Sequence, residues 1–311
     1  MLKESLRKAY GEALVEQGSE HPEIVALEAD LGKSTMSCLF QDAYPERYLQ
    51  MGIAEQNMAS TAAGLALVGK IPFIHSFAVF STGRAYDQIR SSICIPNLNV
   101  NICGSSCGLS DHGDGKTHQS IDDIALMRAL PHMTVLAPVD AVETRKMVKA
   151  MAEAKGPSYI RMSRADLPVL SDEGTPYQIG YTPVMRDGKD VLVIANGVMV
   201  SIALEAAVMA EKEGISVKVV NLSTIKPFPK NAVLEHAKGM KGIISAEEHN
   251  IYGGIGSACA EALSEEKVSL QIMGIEDTFG TSAAQYDELM QKYGLTAERL
   301  FERIVKANKE K

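Results

Sequence analysis

The sequence predicts an α/β protein of two open domains, each a mostly parallel sheet flanked by helices. Short apolar runs alternate with stretches of helical period in both halves of the chain, which is typical of strands joined by crossover helices. The alternation pauses at a segment with Pro and Gly, residues 167–190, and then restarts. The length of 311 residues and the hydrophobic fraction of 46% suit two packed cores. We therefore predict domains at 1–170 and 189–311, joined by a linker at 171–188.

The first half opens with an amphipathic helix and continues as alternating strands and helices. The predicted elements, in order, are a helix at 1–18, a strand at 70–77, a helix at 82–95, strands at 98–104 and 133–138, a helix at 140–154 and a strand at 157–163. Asp140 is the predicted N-cap of its helix, because a short acidic side chain can accept hydrogen bonds from the free N–H groups of the first turn.

The second half repeats the pattern. Strands are predicted at 191–197, 215–222, 242–249 and 268–275, and helices at 198–214, 228–239, 254–266 and 296–311. The first of these helices ends at Gly214. In the last helix, Leu300, Ile304 and Val305 fall on one apolar stripe, so that face is expected to pack against the second sheet.

Charge and composition disfavour several classes of function. The formal net charge of −8 disfavours non-specific binding to nucleic acid or to anionic membranes. No apolar run reaches the roughly 20 residues of a membrane span, and the acidic, amphipathic N-terminus does not resemble a signal peptide. Five scattered cysteines argue against a disulfide framework and favour reduced thiols in the cytoplasm. Cys103 and Cys107 lack the spacing of a metal site.

The loops that follow the strands are the places to look for chemistry, because ligands of open α/β sheets bind at the carboxyl ends of the strands. The loop at 105–120, after the strand at 98–104, is the richest. It contains Asp111, His112, Asp114, Lys116 and His118. Imidazoles that titrate near neutrality stand beside carboxylates there. Composition alone leaves a functional loop and a solvated turn equally open.

One acidic residue lies where a buried apolar helix is predicted to begin. Glu55 lies in the segment "GIAEQNM", Gly52–Met58, at the start of a long apolar stretch that reads as a buried helix. An acid near a helix N-terminus is favoured by the helix dipole, and by itself that would explain Glu55.

Several segments together resemble the transketolase family. "GIAEQNM", "SFAVFSTGRAYDQIR", "GDGKTHQSIDDIALMRALPHMTVLAPVD" and "YIRMSRADLP" resemble its pyrimidine-binding domain, while "EEHNIYGGIGSACAEAL" and "TFGTSAAQYDELMQKYGLT" resemble its C-terminal domain. The segments follow the family's order and span nearly the whole chain. The resemblance implies a thiamine diphosphate-binding fold and the transfer of two-carbon ketol units from ketose phosphates to aldose phosphates.

The resemblance also implies that this chain acts with another. Full-length transketolases carry a further N-terminal domain that holds the cofactor's diphosphate and its metal through a Gly-Asp-Gly and paired asparagines. Here the "GDG" of residues 113–115 is followed about thirty residues on by "VDAVETRK", which has no Asn. The chain thus resembles the C-terminal half of a split transketolase. Its expected partner is an N-terminal subunit that binds the diphosphate and most of a Mg or Ca site, in an α2β2 assembly.

The family pattern gives roles to residues around the cofactor ring. Glu55 matches the acid that hydrogen-bonds N1′ of the aminopyrimidine and so activates the cofactor. The carbanion chemistry is then carried out by the cofactor. Phe80 matches the main stacking ring, with Phe77 beside it, since an aromatic face suits a flat pyrimidine. Asp30 and Leu31 match positions close to the cofactor. Core packing is the alternative for both Phe side chains.

The family pattern also places substrate contacts in the loop at 105–120. His118 would lie near the ketose carbonyl and the C1 hydroxyl, donate to the oxygen that becomes negative and shuttle its proton. Asp114 would select the stereochemistry of a sugar hydroxyl. The histidine usual near the start of the loop is replaced by Ser106, with His112 nearby as a substitute. This departure leaves the sugar pair open.

The resemblance also implies a binding site for the phosphate group of the sugar. Arg164 in "SRADLP" matches an arginine that binds the sugar phosphate, and a guanidinium suits phosphate because its planar fork donates two hydrogen bonds. Ser34 matches a serine on the same phosphate, with Lys33 adding charge; a helix-capping turn is the alternative for these two.

Other functions stay open at this point. "GIAEQNM" also occurs in β subunits of 2-oxoacid dehydrogenases, and deoxyxylulose-phosphate synthase shares the architecture, although "GDGKTHQS" fits transketolase better. A non-catalytic scaffold subunit is a third possibility. Glu247, Glu248 and His249 resemble a metal cluster in composition, but adjacent strand residues face opposite ways, so no metal site is predicted there.

Overall fold

The computed structural model of the chain describes residues 2–309, so the last two residues of the predicted helix at 296–311 lie outside it. The first part of the chain comprises β1 Lys3–Glu4, α1 Leu6–Glu20, β2 Ile24–Glu28, α2 Gly32–Thr35, α3 Cys38–Ala43, β3 Tyr48–Gln50, α4 Glu55–Leu67, β4 Ile71–Phe77, α5 Tyr86–Gln88, β5 Asn101–Ser105, α6 Asp123–Ala129, β6 Thr134–Leu136, α7 Ala141–Glu153, β7 Ser158–Met162 and β8 Leu167–Pro168. The rest comprises β9 Val184–Arg186, β10 Val191–Ala195, α8 Met199–Lys212, β11 Val217–Asn221, β12 Thr224–Lys226, α9 Lys230–Ala237, β13 Gly242–Asn250, α10 Ile255–Ala262, β14 Leu270–Ile275, α11 Tyr286–Lys292 and α12 Ala297–Ala307.

The larger sheet has the order β12-β6-β7-β5-β4-β2-β3 and is parallel except at β12. Both faces are covered. Val25 and Leu27 of β2 pack into one apolar cluster, whereas Ile24 and Ala26 pack into another on the opposite face. A parallel strand buried on both faces carries apolar side chains on both, which explains the unbroken apolar run of β2 from Ile24 to Leu27. The predicted α/β class with parallel sheets is confirmed.

The smaller sheet has the order β14-β13-β10-β11-β9 and is parallel except at the edge strand β9. Helices α8 and α12 pack on it. Leu300 and Ile304 are fully buried in its core and Val305 is partly buried against the same cluster, as the helical stripe predicts. The segment at 171–188 contains β9, and β12 extends the larger sheet although it follows β11 in the chain.

The predicted helix at 82–95 is less regular than its pattern suggests. It begins at Phe80 and consists of two π-helical segments, Phe80–Arg84 and Ile89–Cys94, on either side of the short α5. Wide π turns are common near functional sites. Here the first one places Arg84 over the ring of Phe80, with the guanidinium carbon 4.1 Å from the ring centroid.

No helix within residues 2–309 combines the length and the apolar character that a bilayer crossing requires. The five cysteines are free, and all but Cys38 are buried.

The start of α7 gives a prediction about stability. Asp140 caps the helix by accepting from the Glu143 N–H at 2.8 Å, as predicted. Glu143 is buried between the two domains and accepts hydrogen bonds from the Val139 N–H and from Asn221 Nδ2. Burial raises the pKa of the Glu143 carboxyl to about 7. Among residues 2–309, the Oδ1 of Asn221 has no hydrogen-bond partner.

We expect Glu143→Gln to stabilise the fold at pH 8 and to change it little at pH 4.5. Between an unfolded pKa of 4.5 and a folded pKa of about 7, the unfolded chain releases a proton that the folded chain keeps, so wild-type stability falls as pH rises through this window. The gain at pH 8 is at most about 3 kcal/mol. The amide can also donate to Asn221. Urea unfolding of both proteins at the two pH values measures the difference, and parallel pH profiles would contradict the prediction.

Candidate functional site

Glu55 is the first residue of α4 and is 4% exposed. Its Oε1 accepts a hydrogen bond from Arg84 Nη1 at 3.0 Å, and the Arg84 side chain is about half exposed. Within residues 2–309, Oε2 has no hydrogen-bond partner. Exposed Ile53 lies just before the helix and, together with Arg84, lines a pocket around Glu55. Helix-dipole stabilisation is compatible with this position, but it does not account for a buried carboxylate that opens on a pocket.

Arg84 links this acid to a cluster of three rings, because its guanidinium also lies over Phe80. Phe77 and Phe80 are stacked, with centroids 6.0 Å apart and an interplanar angle of 19°. The ring of His118 meets Phe80 edge-on at 5.2 Å and Phe77 at 6.3 Å. Phe77 is buried, whereas Phe80 is partly exposed. The structure therefore brings three predicted residues, two from the end of β4 and one from the loop at 105–120, into one cluster.

The turn after β2 carries Asp30 and Leu31. Asp30 adopts a left-handed φ of 63°, and its N–H donates to Gln50 Oε1 at 3.1 Å. The buried carboxylate of Glu28 accepts from the Leu31 N–H and from Gln50 Nε2. Burial raises the pKa of Glu28. These hydrogen bonds hold the backbone of the turn in place. The side chain of Asp30 is exposed to solvent.

The loop at 105–120 is held by the second domain. Glu248 in β13 accepts from the Leu109 N–H at 2.7 Å, and Gln119 donates to the Thr281 carbonyl at 2.9 Å. Gly108 has a φ of 61°, and a Cβ there would lie 2.3 Å from the Glu248 carboxyl carbon, so only glycine fits. Burial raises the pKa of Glu248 to about 7. The loop is a solvated turn only at 113, 114, 116 and 117.

The polar residues of this loop face different surroundings. His118 is half-buried, and its Nδ1 lies 2.9 Å from Thr117 Oγ1, while Asp114 is exposed. His112 Nδ1 lies 3.3 Å from the Ala283 carbonyl in the second domain. Ser106 is fully buried with a φ of 56°, and its hydroxyl has no partner.

Arg164 and Ser34 are linked through a residue that the sequence analysis missed. Arg7 in α1 donates to the Ser34 carbonyl at 2.8 Å and to the Arg164 carbonyl at 3.2 Å. Arg164 Nη1 donates to Asp111 Oδ2 at 2.9 Å, and its N–H donates to Ser110 Oγ. Ser34 lies inside α2, whose N-cap makes no side-chain hydrogen bond, so the alternative of a capping turn is wrong. Arg7 looked like an ordinary charge on an amphipathic helix.

A buried ion pair lies under the loop. Arg161, which has no role assigned in the sequence analysis, donates to Asp123 at 2.8 Å and to the Glu248 carbonyl at 3.1 Å. Burial opposes the charge on Asp123, but Arg161 prevails and lowers the pKa of that acid. Glu247 caps α10 through the N–H groups of Ile255 and Gly256, away from Glu248, as the strand alternation predicts.

The acid and ring cluster fits the aminopyrimidine of thiamine diphosphate. Arg84 presents a planar, nitrogen-bearing group that lies over the Phe80 ring and hydrogen-bonds Glu55, the same two contacts that an aminopyrimidine would need. Glu55 and Phe80, with Phe77 behind, are therefore the residues that would hold the ring. Within residues 2–309, no group of three or more His, Cys, Asp or Glu side chains is placed to hold a metal ion.

Comparisons with known proteins agree with this geometry. The sequence profile of the transketolase pyrimidine-binding domain matches residues 3–169, and that of the transketolase C-terminal domain matches residues 180–300. A protein of Methanocaldococcus jannaschii, provisionally named a transketolase C-terminal section, is 40% identical, with 98% of this chain and 96% of that one covered. A 6-deoxy-6-sulfo-D-fructose transketolase subunit of Clostridium sp. (strain MSTE9) is 39% identical, with 95% and 92% covered.

Among solved structures, a split-gene transketolase described as an inactive β4 tetramer superposes with a TM-score of 0.90 at 46% identity, covering 98% of both chains. Both profiles, and relatives above 30% identity over nearly the full length, place the sequence in one family. The chain belongs to the transketolase family of thiamine-dependent proteins.

Proposed function

We propose that this chain is the C-terminal subunit of a transketolase, which moves a two-carbon ketol unit from a ketose phosphate to an aldose phosphate together with a separate N-terminal subunit. The proposal is carried by Arg84, which hydrogen-bonds buried Glu55 and lies over the ring of Phe80, the ring that Phe77 stacks on and His118 meets edge-on. The full-length matches to relatives named as a section and as a subunit support the division into two chains.

In this proposal, thiamine diphosphate, when bound, would supply a carbon nucleophile for the C2 carbonyl of the ketose and an acceptor for the electron pair of the C2–C3 bond, which breaks to release an aldose. Phe80 presents a partly exposed face on which the aminopyrimidine stacks, and Phe77 supports that ring from behind. Glu55 hydrogen-bonds N1′ and keeps a proton there. Its burial lets the hydrogen bond form with little competition from water.

His118 acts on the substrate. The imidazole ring packs edge-on with Phe80, so the ring edge that does not contact Phe80 lies next to the position proposed for the cofactor. From there it donates to the ketose oxygen that gains negative charge and carries the proton through the reaction. Asp114, exposed on the same loop, orients a sugar hydroxyl, with His112 nearby. Arg164, Arg7 and Ser34 bind the charged end of the sugar.

The partner completes the site in this proposal. The N-terminal subunit binds the diphosphate and most of a divalent metal site, Mg or Ca, and the assembly is an α2β2 tetramer. The proposed setting is the cytoplasm, where the free thiols stay reduced. The transfer belongs to carbohydrate metabolism of the pentose phosphate type.

A second substrate deserves a test because one relative is named for it. The subunit that shares 39% identity with this chain is a 6-deoxy-6-sulfo-D-fructose transketolase subunit. A sulfosugar is therefore an alternative donor for the same reaction. The oxoacid dehydrogenase and deoxyxylulose-phosphate synthase alternatives receive no such support, since the matching profiles are those of transketolase.

Co-expression with a candidate N-terminal subunit tests the function. We expect ketol transfer by the purified complex with thiamine diphosphate and Mg²⁺, and none by either chain alone or by the complex without cofactor. Full activity of this chain without a second protein, or acyl transfer to lipoamide by the complex in place of ketol transfer, would contradict the proposal.

A further inference from the structure

An acid is built into the charged end of the candidate site. Asp111 is buried, with its side chain 3% exposed, and its Oδ2 accepts from Arg164 Nη1 at 2.9 Å. The Arg164 side chain is 39% exposed. Within residues 2–309, its Nε and Nη2 make no hydrogen bond, so they remain as a side-on pair of donors for an anion.

Two guanidinium groups stand close together there. Arg7 is tied to the Arg164 carbonyl, and burial and the nearby Arg164 charge lower the pKa of Arg7, whereas Asp166 and Asp111 oppose that shift. Burial likewise raises the pKa of Asp111, and the Arg164 charge opposes it. We refer to Arg7, Arg164 and Asp111 as the anion cluster. Its acid is the most buried of the three charges.

The anion cluster has one net positive charge when all three groups are ionised. At the rim, exposed Lys33 beside Ser34 and exposed Asp166 carry opposite charges, and exposed Asp114 adds a further negative charge close to Asp111. A dianion bound to Arg164 would place its second charge near a carboxylate that water barely screens. A monoanion with the same number of acceptor oxygens would keep the hydrogen bonds and avoid most of that repulsion.

We infer that Asp111 is a specificity-determining residue that favours substrates ending in a monoanion, with a sulfonate as the matching group, over substrates ending in a phosphate dianion. This rests on the proposed function in one respect, namely that the anion cluster binds the substrate's charged end. A sulfonate has one charge at any physiological pH, whereas a phosphate ester has nearly two above its second pKa near 6. The preference follows from the buried charge of Asp111.

The test compares two ketoses that differ in this group, fructose 6-phosphate and 6-deoxy-6-sulfofructose. In the complex with the N-terminal subunit, we expect Asp111→Asn to raise the ratio of kcat/KM for the phosphate over the sulfonate by about tenfold, since the amide keeps an acceptor for Arg164 and removes the charge. Asp166→Asn is the matched control; it removes an exposed acid of the same rim, and the ratio should change less than about threefold. An unchanged ratio in Asp111→Asn, or equal losses for both sugars, would overturn the inference.

Two further measurements keep the inference independent of catalysis and of the variant's folding. Calorimetric binding of both ketoses to the Glu55→Gln complex reports the preference without turnover. Intact discrimination in this binding, together with absent ketol transfer by the wild-type complex, would refute the proposed function alone. In the wild-type complex, lowering the pH from 7.5 to 5.5 protonates the phosphate and should narrow the preference for the sulfonate. Burial raises the pKa of Asp111, which faces Arg164, Asp114 and Arg7, and any protonation of this acid acts in the same direction. A ratio of affinities that does not change with pH would also overturn the inference.

Discussion

Replacing Glu55 by alanine is expected to lower ketol transfer by the assembled enzyme by about 10²–10³-fold, because alanine cannot hold a proton at N1′. Glu55 is 4% exposed and lies at the first position of α4, and the only charged side chain that it contacts is Arg84, within residues 2–309. A hydrogen bond formed there has few competitors. The measurement is kcat and KM of the complex at saturating thiamine diphosphate.

The matched control for this variant is Ser60→Ala. Ser60 lies in the next turn of the same helix, beyond the residues that line the pocket around Glu55, and is exposed. Its removal should leave transfer near the wild-type rate, and both variants should unfold within a few degrees of the wild-type protein. Glu55→Gln separates charge from shape, since its amide cannot hold the acidic proton. Wild-type turnover by Glu55→Ala would reject the role given to this acid.

Replacing His118 by alanine is expected to lower kcat by about 10²–10⁴-fold with a smaller change in KM. The imidazole lies edge-on to Phe80, and Thr117 Oγ1 is near its Nδ1, so the Nε2 edge is left for the substrate. Its contribution grows as the ketose oxygen becomes negative, so the loss belongs to the transition state. Steady-state kinetics with a ketose phosphate donor measures both constants.

Lys116→Ala is the control for His118, because Lys116 lies in the same loop and is exposed. We expect it to behave as wild type. His118→Gln, which keeps a neutral donor, should recover part of the lost rate if hydrogen bonding to the oxygen matters. A rise in KM at unchanged kcat in His118→Ala would mean that this residue only binds substrate.

Elements with a strong local pattern were predictable from the sequence. The strand at β4 and the helix at α7 follow from apolar period and capping, and the structure confirms both. Strand β12 was not predictable, because three residues carry no period and their pairing with β6 depends on where the second domain lies. The irregular turns around Phe80 were also missed, since π-helical geometry leaves no distinct signal in a short sequence window.

The candidate site was also predictable only in part from the sequence. Glu55, Phe80 and His118 come from three separate segments, and their proximity follows from topology, because parallel strands present their carboxyl ends at one edge. Asp111 was noted only as part of a polar loop. Its pairing with Arg164 joins residues 53 positions apart and depends on tertiary packing, which single-sequence patterns do not record. The roles assigned to all these residues stay predictions until the variants are measured.

Strand β12 has a consequence for any attempt to divide the protein. A fragment ending at residue 170 would retain β6 but lose residues 224–226, which pair with it. The N–H and C=O groups along β6 would then form an open sheet edge able to recruit strands from other copies. Such a truncation is therefore expected to aggregate, and the two halves are better produced as a single polypeptide.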